Sequence, residues 1–206
     1  MIKSEIYDSV KDDIINCFYK PEEVIEEKQL TEKYGVSRTP IREVISMLKQ
    51  DGWLESNGKK GVCVSKITLK NVKDLFQLRY EVEPMMLKFA FNHICKDELV
   101  VIKNDLTQAI EKNDIKKMAK LDDIFHEEIQ NSSKNDLAIK VTENIMDQTK
   151  RFRYLTHTNE EITLKSAKEH KQLIEAILER DLEKSLKIMK KHIDNSQLYC
   201  VRNINF

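Results

Sequence analysis

Apolar residues recur at helical spacing near the start of the chain. Ile6, Val10, Ile14 and Phe18 follow one another at intervals of four, which predicts an amphipathic helix with one buried face. Proline has no backbone N–H and does not continue a helix. We therefore expect this first helix to stop at Pro21.

Turn and cap residues mark the elements that follow. Four are predicted, over about 26–34, 38–51, 53–56 and 62–65. Gly35 is suited to end the first of these helices, and Ser37 to cap the second. The last two elements are short β-prone runs joined by a loop that contains Gly58, a pattern typical of a hairpin. Three helices and a hairpin predict a winged helix-turn-helix domain over residues 1–66.

The rest of the chain has no glycine after Gly61. A sandwich or barrel needs many turn residues, so this part is expected to be helical. Its first long helix is predicted to bury Leu75, Leu78, Val82, Met85 and Phe89. Five more helices are predicted, over about 97–111, 114–131, 135–156, 160–179 and 182–200. The expected fold is mainly α: the winged helix-turn-helix, then an all-helical bundle over residues 67–206.

The composition excludes several functions. The 206 residues include 35 Lys+Arg and 35 Asp+Glu, so the chain is formally neutral. No apolar stretch approaches the ~18 residues of a membrane span, and early acidic residues exclude a secretory signal. We expect a cytoplasmic protein with no membrane partner. Neither G-x-G-x-x-G nor a P-loop is present. The four cysteines, expected to be reduced and buried, are Cys17, Cys63, Cys95 and Cys200.

Basic residues gather locally within the neutral chain. Residues 28–66 carry more basic than acidic side chains, which favours one phosphate-binding face. Arg38 and Arg42 share a side of the predicted third helix, near the end that meets base edges in the major groove. Lys59 and Lys60, at the hairpin tip, suit phosphate or minor-groove contacts. On charge alone, an ordinary solvated helix face explains the two arginines equally well.

A longer motif covers the same region. Residues 30–44, Leu-Thr-Glu-Lys-Tyr-Gly-Val-Ser-Arg-Thr-Pro-Ile-Arg-Glu-Val, closely resemble the DNA-binding signature of the GntR family. The resemblance implies that Arg38 and Arg42 contact operator DNA, with Ser37 and Thr39 near phosphates and Gly58 in the wing. Lys28 stands where the family often has arginine. Lysine keeps the charge but loses the planar fork that pairs with a base.

Polar residues interrupt the apolar faces of three helices in the second part. Asp122 and His126 lie four apart on one such face, and His170 and His192 occupy similar positions on two later helices. Imidazoles and carboxylates on facing helices are how bundles build metal sites. The alternative is that each histidine is a hydrogen-bonded core residue and that the aspartate forms an ion pair.

This second part resembles the FCD (FadR C-terminal) class of the GntR family. Many FCD domains carry D-x-x-x-H and two later histidines, so the resemblance implies a metal site formed by Asp122, His126, His170 and His192. Nitrogen-rich ligation favours Zn²⁺ or Ni²⁺, and one carboxylate also admits Mn²⁺ or Fe²⁺. Arg79 resembles the arginine of the family's R-x-x-h-E near the effector pocket, where it would bind a carboxylate. An intrahelical ion pair with Glu83 is the alternative role.

The expected protein is a transcriptional regulator and not an enzyme. We expect a repressor that binds double-stranded operator DNA as a homodimer and responds to a small carboxylate metabolite bound at the metal. Two alternatives remain at this point. The histidines and aspartate could serve a metal-dependent enzyme, although no H-E-x-x-H motif is present. The metal could instead be structural, beneath a DNA-binding head that acts constitutively.

Overall fold

The chain forms two compact units. Our computed structural model describes residues 3–58, 61–156 and 160–203. The first unit spans Met1–Thr68 and the second Leu69–Phe206. Both are dominated by helices, and the predicted fold class is confirmed.

The first unit consists of three helices and a hairpin. Its elements are α1 (Lys3–Ile15), α2 (Glu27–Tyr34), α3 (Arg38–Gln50), β1 (Leu54–Ser56) and β2 (Val62–Val64). Helix α3 packs against α1 and α2 through buried Ile41, Val44 and Leu48. Gly35 ends α2 in the left-handed conformation, with φ of 65°, as its position predicted. The outer side of α3 is left to solvent.

The prediction for the end of α1 was wrong. The helix ends at Ile15, and Phe18 is 70% exposed instead of continuing the apolar face. Cys17 adopts a left-handed backbone with φ of 58°, which turns the chain out of the helix before Pro21 is reached. The Lys33 ammonium lies 5.7 Å from the centroid of the Phe18 ring and partly covers it.

A segment between α1 and α2 pairs with the hairpin, which the sequence pattern did not predict. Strands β1 and β2 are antiparallel, with Leu54 opposite Val64. Val24, between α1 and α2, forms an isolated bridge with Cys63 on the other edge of β2. The backbone N–H of Ile25 donates to the Val62 carbonyl at 2.9 Å. The wing is therefore fixed to the helices by backbone hydrogen bonds.

Six helices make up the described part of the second unit. They are α4 (Leu69–Ala90), α5 (Lys96–Glu111), α6 (Ile115–Ser132), α7 (Asp136–Thr156), α8 (Glu160–Leu178) and α9 (Leu182–Asn203). Asp114 caps α6 by accepting from the Lys117 N–H, and Asp181 accepts from the Lys184 N–H before α9. Helix α9 packs against both α4 and α8, and α6 packs against α4, α5 and α8. One common interior therefore lies between α4, α6, α8 and α9.

The predicted buried face of α4 is displaced. Leu75 is buried, but Leu78 is 52% and Phe89 40% exposed, while Val82 and Met85 are half-buried. The inner face instead carries Arg79 and Glu83 among apolar residues. Its buried members are Val72, Leu75, Phe76, Arg79, Glu83, Pro84, Met86, Leu87 and Ala90. A face that buries an ion pair escapes a search for apolar periodicity.

Two further expectations concern membrane-spanning helices and the cysteines. None of the helices in the described ranges combines the length and apolarity needed to cross a bilayer. The four cysteines are free, as expected. The expectation that all four are buried was wrong, because Cys95 is exposed just before α5 and Cys17 is half-buried.

Candidate functional site

The N-terminal end of α3 exposes the residues expected to contact DNA. Ser37, Arg38, Thr39 and Arg42 are all exposed, while the opposite side of the helix is buried in the core. Ser37 occupies the N-cap position, but its side chain makes no capping hydrogen bond. A helix N-terminus carries free N–H groups and a partial positive charge that attract phosphate. This end of α3 therefore offers both cationic and hydroxyl groups to DNA.

The two arginines differ in their surroundings. Arg42 donates from Nε to both carboxylate oxygens of Glu27, on α2, at 2.9 and 3.1 Å. Arg38 has no ion-pair partner within the part of the chain that the structure describes. Lys28 is exposed and lies 3.8 Å from Glu32. Of the two arginines, Arg38 is thus the one already available to a ligand.

The wing is described only in part. Gly58 has φ of 49°, a left-handed conformation in the loop between β1 and β2. The predicted phosphate contacts Lys59 and Lys60 lie outside the described residues. Lys49 on α3 donates to the Ser56 hydroxyl of β1 at 2.7 Å, which connects the hairpin to α3.

Three of the predicted metal ligands come together inside the second unit. One ligand atom from each of His126, His170 and His192 lies within 4.8 Å of the other two. The Nε2 atoms of His170 and His192 are 3.2 Å apart. The buried Nε2 of His126 has no hydrogen-bond partner among the described residues. Because a buried polar atom normally has a partner, these nitrogens fit a cation between them.

The interior keeps two of the histidines neutral. Burial lowers the pKa of His126 well below its usual value, and the Arg153 charge lowers it further. Burial and the neighbouring His170 lower the pKa of His192. A metal binds neutral imidazole, so no proton has to be removed from these rings at neutral pH.

Asp122 lies beside the triad, and its two carboxylate oxygens contact His170 and Arg153. Its Oδ1 is 3.1 Å from Nδ1 of His170, and its Oδ2 is 2.8 Å from Nε of Arg153. Neither contact has hydrogen-bond geometry. Although burial opposes ionisation, Arg153 and the histidines hold the pKa of Asp122 well below its usual range. The carboxylate is therefore charged and next to the triad.

The ion pair considered as the alternative role of Arg79 is present. Arg79 is 2% exposed and donates from Nε to Glu83 Oε1 at 2.5 Å, so the intrahelical ion pair exists. It also lines a small pocket of about 30 Å³ beside the triad. The other lining residues are Thr149, Phe152, Arg153, Ile162, Ser166, His192, Ser196, Tyr199 and Cys200. Two guanidinium groups and one triad histidine thus face the same space.

Three polar residues of this region were missed from the sequence. Arg153, on α7, contacts Asp122 and also donates to Asp123 at 2.7 Å. Glu169 approaches His192 Nδ1 with Oε2 at 2.7 Å, and Asn195 donates to its other oxygen at 2.6 Å. With Nδ1 held as the donor, the Nε2 lone pair of His192 faces His170. Of the three, only Glu169 could have been suspected from the sequence, because it immediately precedes His170.

Comparison with known proteins decides the family. Residues 2–64 match the bacterial regulatory proteins of the gntR family, and residues 74–195 match the FCD domain. The chain belongs to the GntR family and carries an FCD domain. It is accordingly a DNA-binding transcriptional regulator, and the resemblance in residues 30–44 is confirmed.

Relatives of this GntR regulator have the same organisation. It is 26% identical over 195 residues to the HTH-type transcriptional regulator YdhC of Bacillus subtilis, covering 93% of this chain and 87% of that protein. It is 25% identical over 195 residues to the HTH-type transcriptional repressor RspR of Escherichia coli, covering 93% and 86%. The family and these relatives are regulators, which removes the metal-dependent enzyme from consideration.

Solved structures agree on the fold. E. coli McbR/YncC matches this GntR regulator with a TM-score of 0.82 at 19% identity, covering 100% of both chains. The metal-free FCD domain of TM0439 matches 68% of this chain and 97% of its own, with a TM-score of 0.61 at 26% identity.

Proposed function

We propose that this regulator is a repressor whose FCD domain binds a divalent metal and, through it, a small carboxylate metabolite. The observation that carries the proposal is the pocket beside the triad, which Arg79, Arg153 and His192 all line. The buried Arg79 guanidinium, the partly exposed Arg153 guanidinium and a histidine of the triad form a surface complementary to a carboxylate. A repressor is favoured because RspR, a relative over most of its length, carries that name.

His126, His170 and His192 would hold the metal, with Asp122 as the fourth ligand. Zn²⁺ and Ni²⁺ suit three imidazoles and one carboxylate, and Mn²⁺ or Fe²⁺ also fits such a set. The bound ion would supply a fixed positive charge with room for a carboxylate oxygen. Support comes from the orphaned Nε2 of His126 and from the description of the related TM0439 domain as metal-free.

Operator binding is proposed to involve two copies of the chain. Helix-turn-helix dimers contact two half-sites, so a homodimer matches a pseudo-palindromic operator in the cytoplasm. Large apolar residues remain exposed on two helices that contact each other: Leu78 and Phe89 on α4, and Leu137 and Val141 on α7. Exposed apolar patches mark interaction sites, which makes these helices the proposed contact between copies.

The metabolite would act by linkage. If the metabolite prefers one arrangement of the two DNA-binding units, it changes the affinity of the protein for the operator. By linkage, operator DNA changes the affinity of the protein for the metabolite by the same factor. Typical coupling energies of ~1–3 kcal/mol change affinity about 5–150-fold. Release from the operator is the expected direction for a repressor.

Carboxylates should stabilise the zinc-loaded full-length protein. We expect at least one member of a mono- and dicarboxylate panel to raise the melting temperature by several degrees, since saturation at 100 times Kd contributes ~2.7 kcal/mol. The matched amide, succinamide against succinate for example, should have no effect because it lacks the charge. Thermal unfolding measures both, and operator release by the same compound is followed by fluorescence anisotropy.

The double variant R79M/E83Q provides the control for this experiment. It removes both charges of the buried ion pair together, so that neither remains uncompensated. It should bind zinc normally and lose the carboxylate response. Equal stabilisation by acids and amides would contradict the proposal. Operator affinity that ignores every carboxylate would instead favour a structural metal beneath a constitutive DNA-binding head.

Glu169 should control metal affinity without being a ligand. We expect E169Q to weaken zinc binding about 10–100-fold, because loss of the charged acceptor on Nδ1 frees the orientation and tautomer of His192. Competition with a chromophoric chelator measures the affinity. E161Q, on the same helix but exposed and paired with Lys165, is the matched control and should behave as wild type. A similar loss of zinc affinity in E169Q and E161Q would show that the effect comes from removing any negative charge and not from the contact with His192.

A further inference from the structure

A second concave surface lies on the outer side of helices α8 and α9. It is an open depression of about 490 Å³ and is lined by residues from both helices. Its charged lining residues are Lys165, Lys168, Glu169, Lys187 and Lys191. We call this surface the lysine groove. Its size is that of a small-molecule site.

The charge of the lysine groove is strongly one-sided. Four lysines face one carboxylate, Glu169, which is already engaged by His192 and Asn195. Lys165 pairs with Glu161. Lys168, Lys187 and Lys191 have no ion-pair partner within the described ranges. Concave surfaces lined by one sign of charge concentrate ions of the opposite sign, so an anion is favoured here.

The arrangement of the lysines indicates several negative charges on the ligand. Lys187 and Lys191 lie four apart and therefore side by side on α9, while Lys168 approaches from α8 across the groove. The lysine groove offers ammonium groups, which bind phosphate as compact point charges, whereas the inner pocket offers planar guanidinium groups. The two pockets thus differ in chemistry.

Polar groups suited to the rest of such a ligand line the same groove. The Gln172 and Asn195 amides and the Tyr199 ring lie among the lysines. An aromatic face and amides are the groups that bind a nucleobase or sugar. We propose that the lysine groove is a second ligand site, for a compound with a diphosphate or triphosphate group such as a nucleoside diphosphate.

The test uses pyrophosphate and ADP as probes. The full-length protein is first freed of metal, because pyrophosphate chelates metals, and is then titrated by calorimetry at one low ionic strength. We expect both probes to bind and to compete with each other. The variant K168A/K191A should bind pyrophosphate about tenfold more weakly, since it lacks two exposed charge contacts. The matched variant K96A/K112A, which loses two exposed lysines of the α5 region, should keep wild-type affinity.

Three results would overturn this site. The first is a wild-type protein that binds neither probe. The second is equal pyrophosphate affinity in K168A/K191A and K96A/K112A. The third is loss of pyrophosphate binding in R79M/E83Q with none in K168A/K191A, which would place the phosphate in the inner pocket. Because the titration is done without metal, its failure leaves the metal and carboxylate proposal untouched.

Discussion

Replacing His170 with alanine should weaken zinc binding by the full-length protein more than about 100-fold, beyond the 10–100-fold that loss of an outer-shell partner costs. The imidazole lies between its two neighbours: Nδ1 is 3.1 Å from Asp122 and Nε2 is 3.2 Å from the Nε2 of His192. Its removal takes away one donor and also loosens the contact that orients Asp122. Competition with a chromophoric chelator gives the affinity, and elemental analysis gives the metal content of untreated protein.

The matched control for this change is His93→Ala. His93 is exposed beyond the end of α4 and takes no part in the triad, so the H93A protein should bind zinc as wild type does. His126→Ala provides an independent test, because its ring has no competing hydrogen bond at Nε2. Circular dichroism of the metal-free proteins separates loss of a ligand from loss of the fold. Zinc affinity within threefold of wild type in folded H170A and H126A would rule out the triad as the metal site.

Replacing Arg38 or Arg42 with alanine should weaken operator binding far more than binding to unrelated DNA. A bidentate arginine–guanine contact contributes ~1–3 kcal/mol of discrimination, or about 5–150-fold. Contacts to phosphate alone lower the affinity for all sequences equally. Fluorescence anisotropy at one salt concentration, with an operator duplex selected from genomic fragments and a scrambled duplex of equal length, measures both affinities.

Lys49→Ala is the control on the same helix. Lys49 is exposed near the C-terminal end of α3, where it donates to Ser56, so its removal deletes a positive charge away from the groove-facing end. Discrimination between the two duplexes should be unchanged in K49A. If R38A and R42A lose operator and scrambled DNA to the same extent, both arginines are phosphate contacts and sequence is determined elsewhere.

The parts of the molecule that sequence predicted well are those where local chemistry is decisive. Gly35 ends α2 because it adopts a left-handed conformation cheaply, and Asp114 caps α6 through a neighbouring N–H. The spacing of Asp122 and His126 placed both on the inner face of one helix. In each case the residues that determine the outcome lie within one helical turn of each other.

The parts that sequence did not predict depend on distant partners. Arg153 contacts Asp122 from a different helix, thirty-one residues along the chain. The sequence does not indicate this contact, because one arginine in a charged stretch looks like any solvent-exposed arginine. The inner face of α4 was misplaced for a related reason. Arg79 and Glu83 are buried because each compensates the other, whereas hydrophobic periodicity assigns charged residues to solvent. Burial of polar groups becomes visible only once the tertiary packing is known.

The ion pair between Arg42 and Glu27 bears on how the regulator searches a chromosome. If DNA draws Arg42 toward a base, the Nε–H of Arg42 has to leave the carboxylate of Glu27. A guanine offers two acceptors, O6 and N7, to the guanidinium. In that case Glu27 would compete with DNA for Arg42 and would lower the overall attraction to DNA modestly, because the pair is exposed.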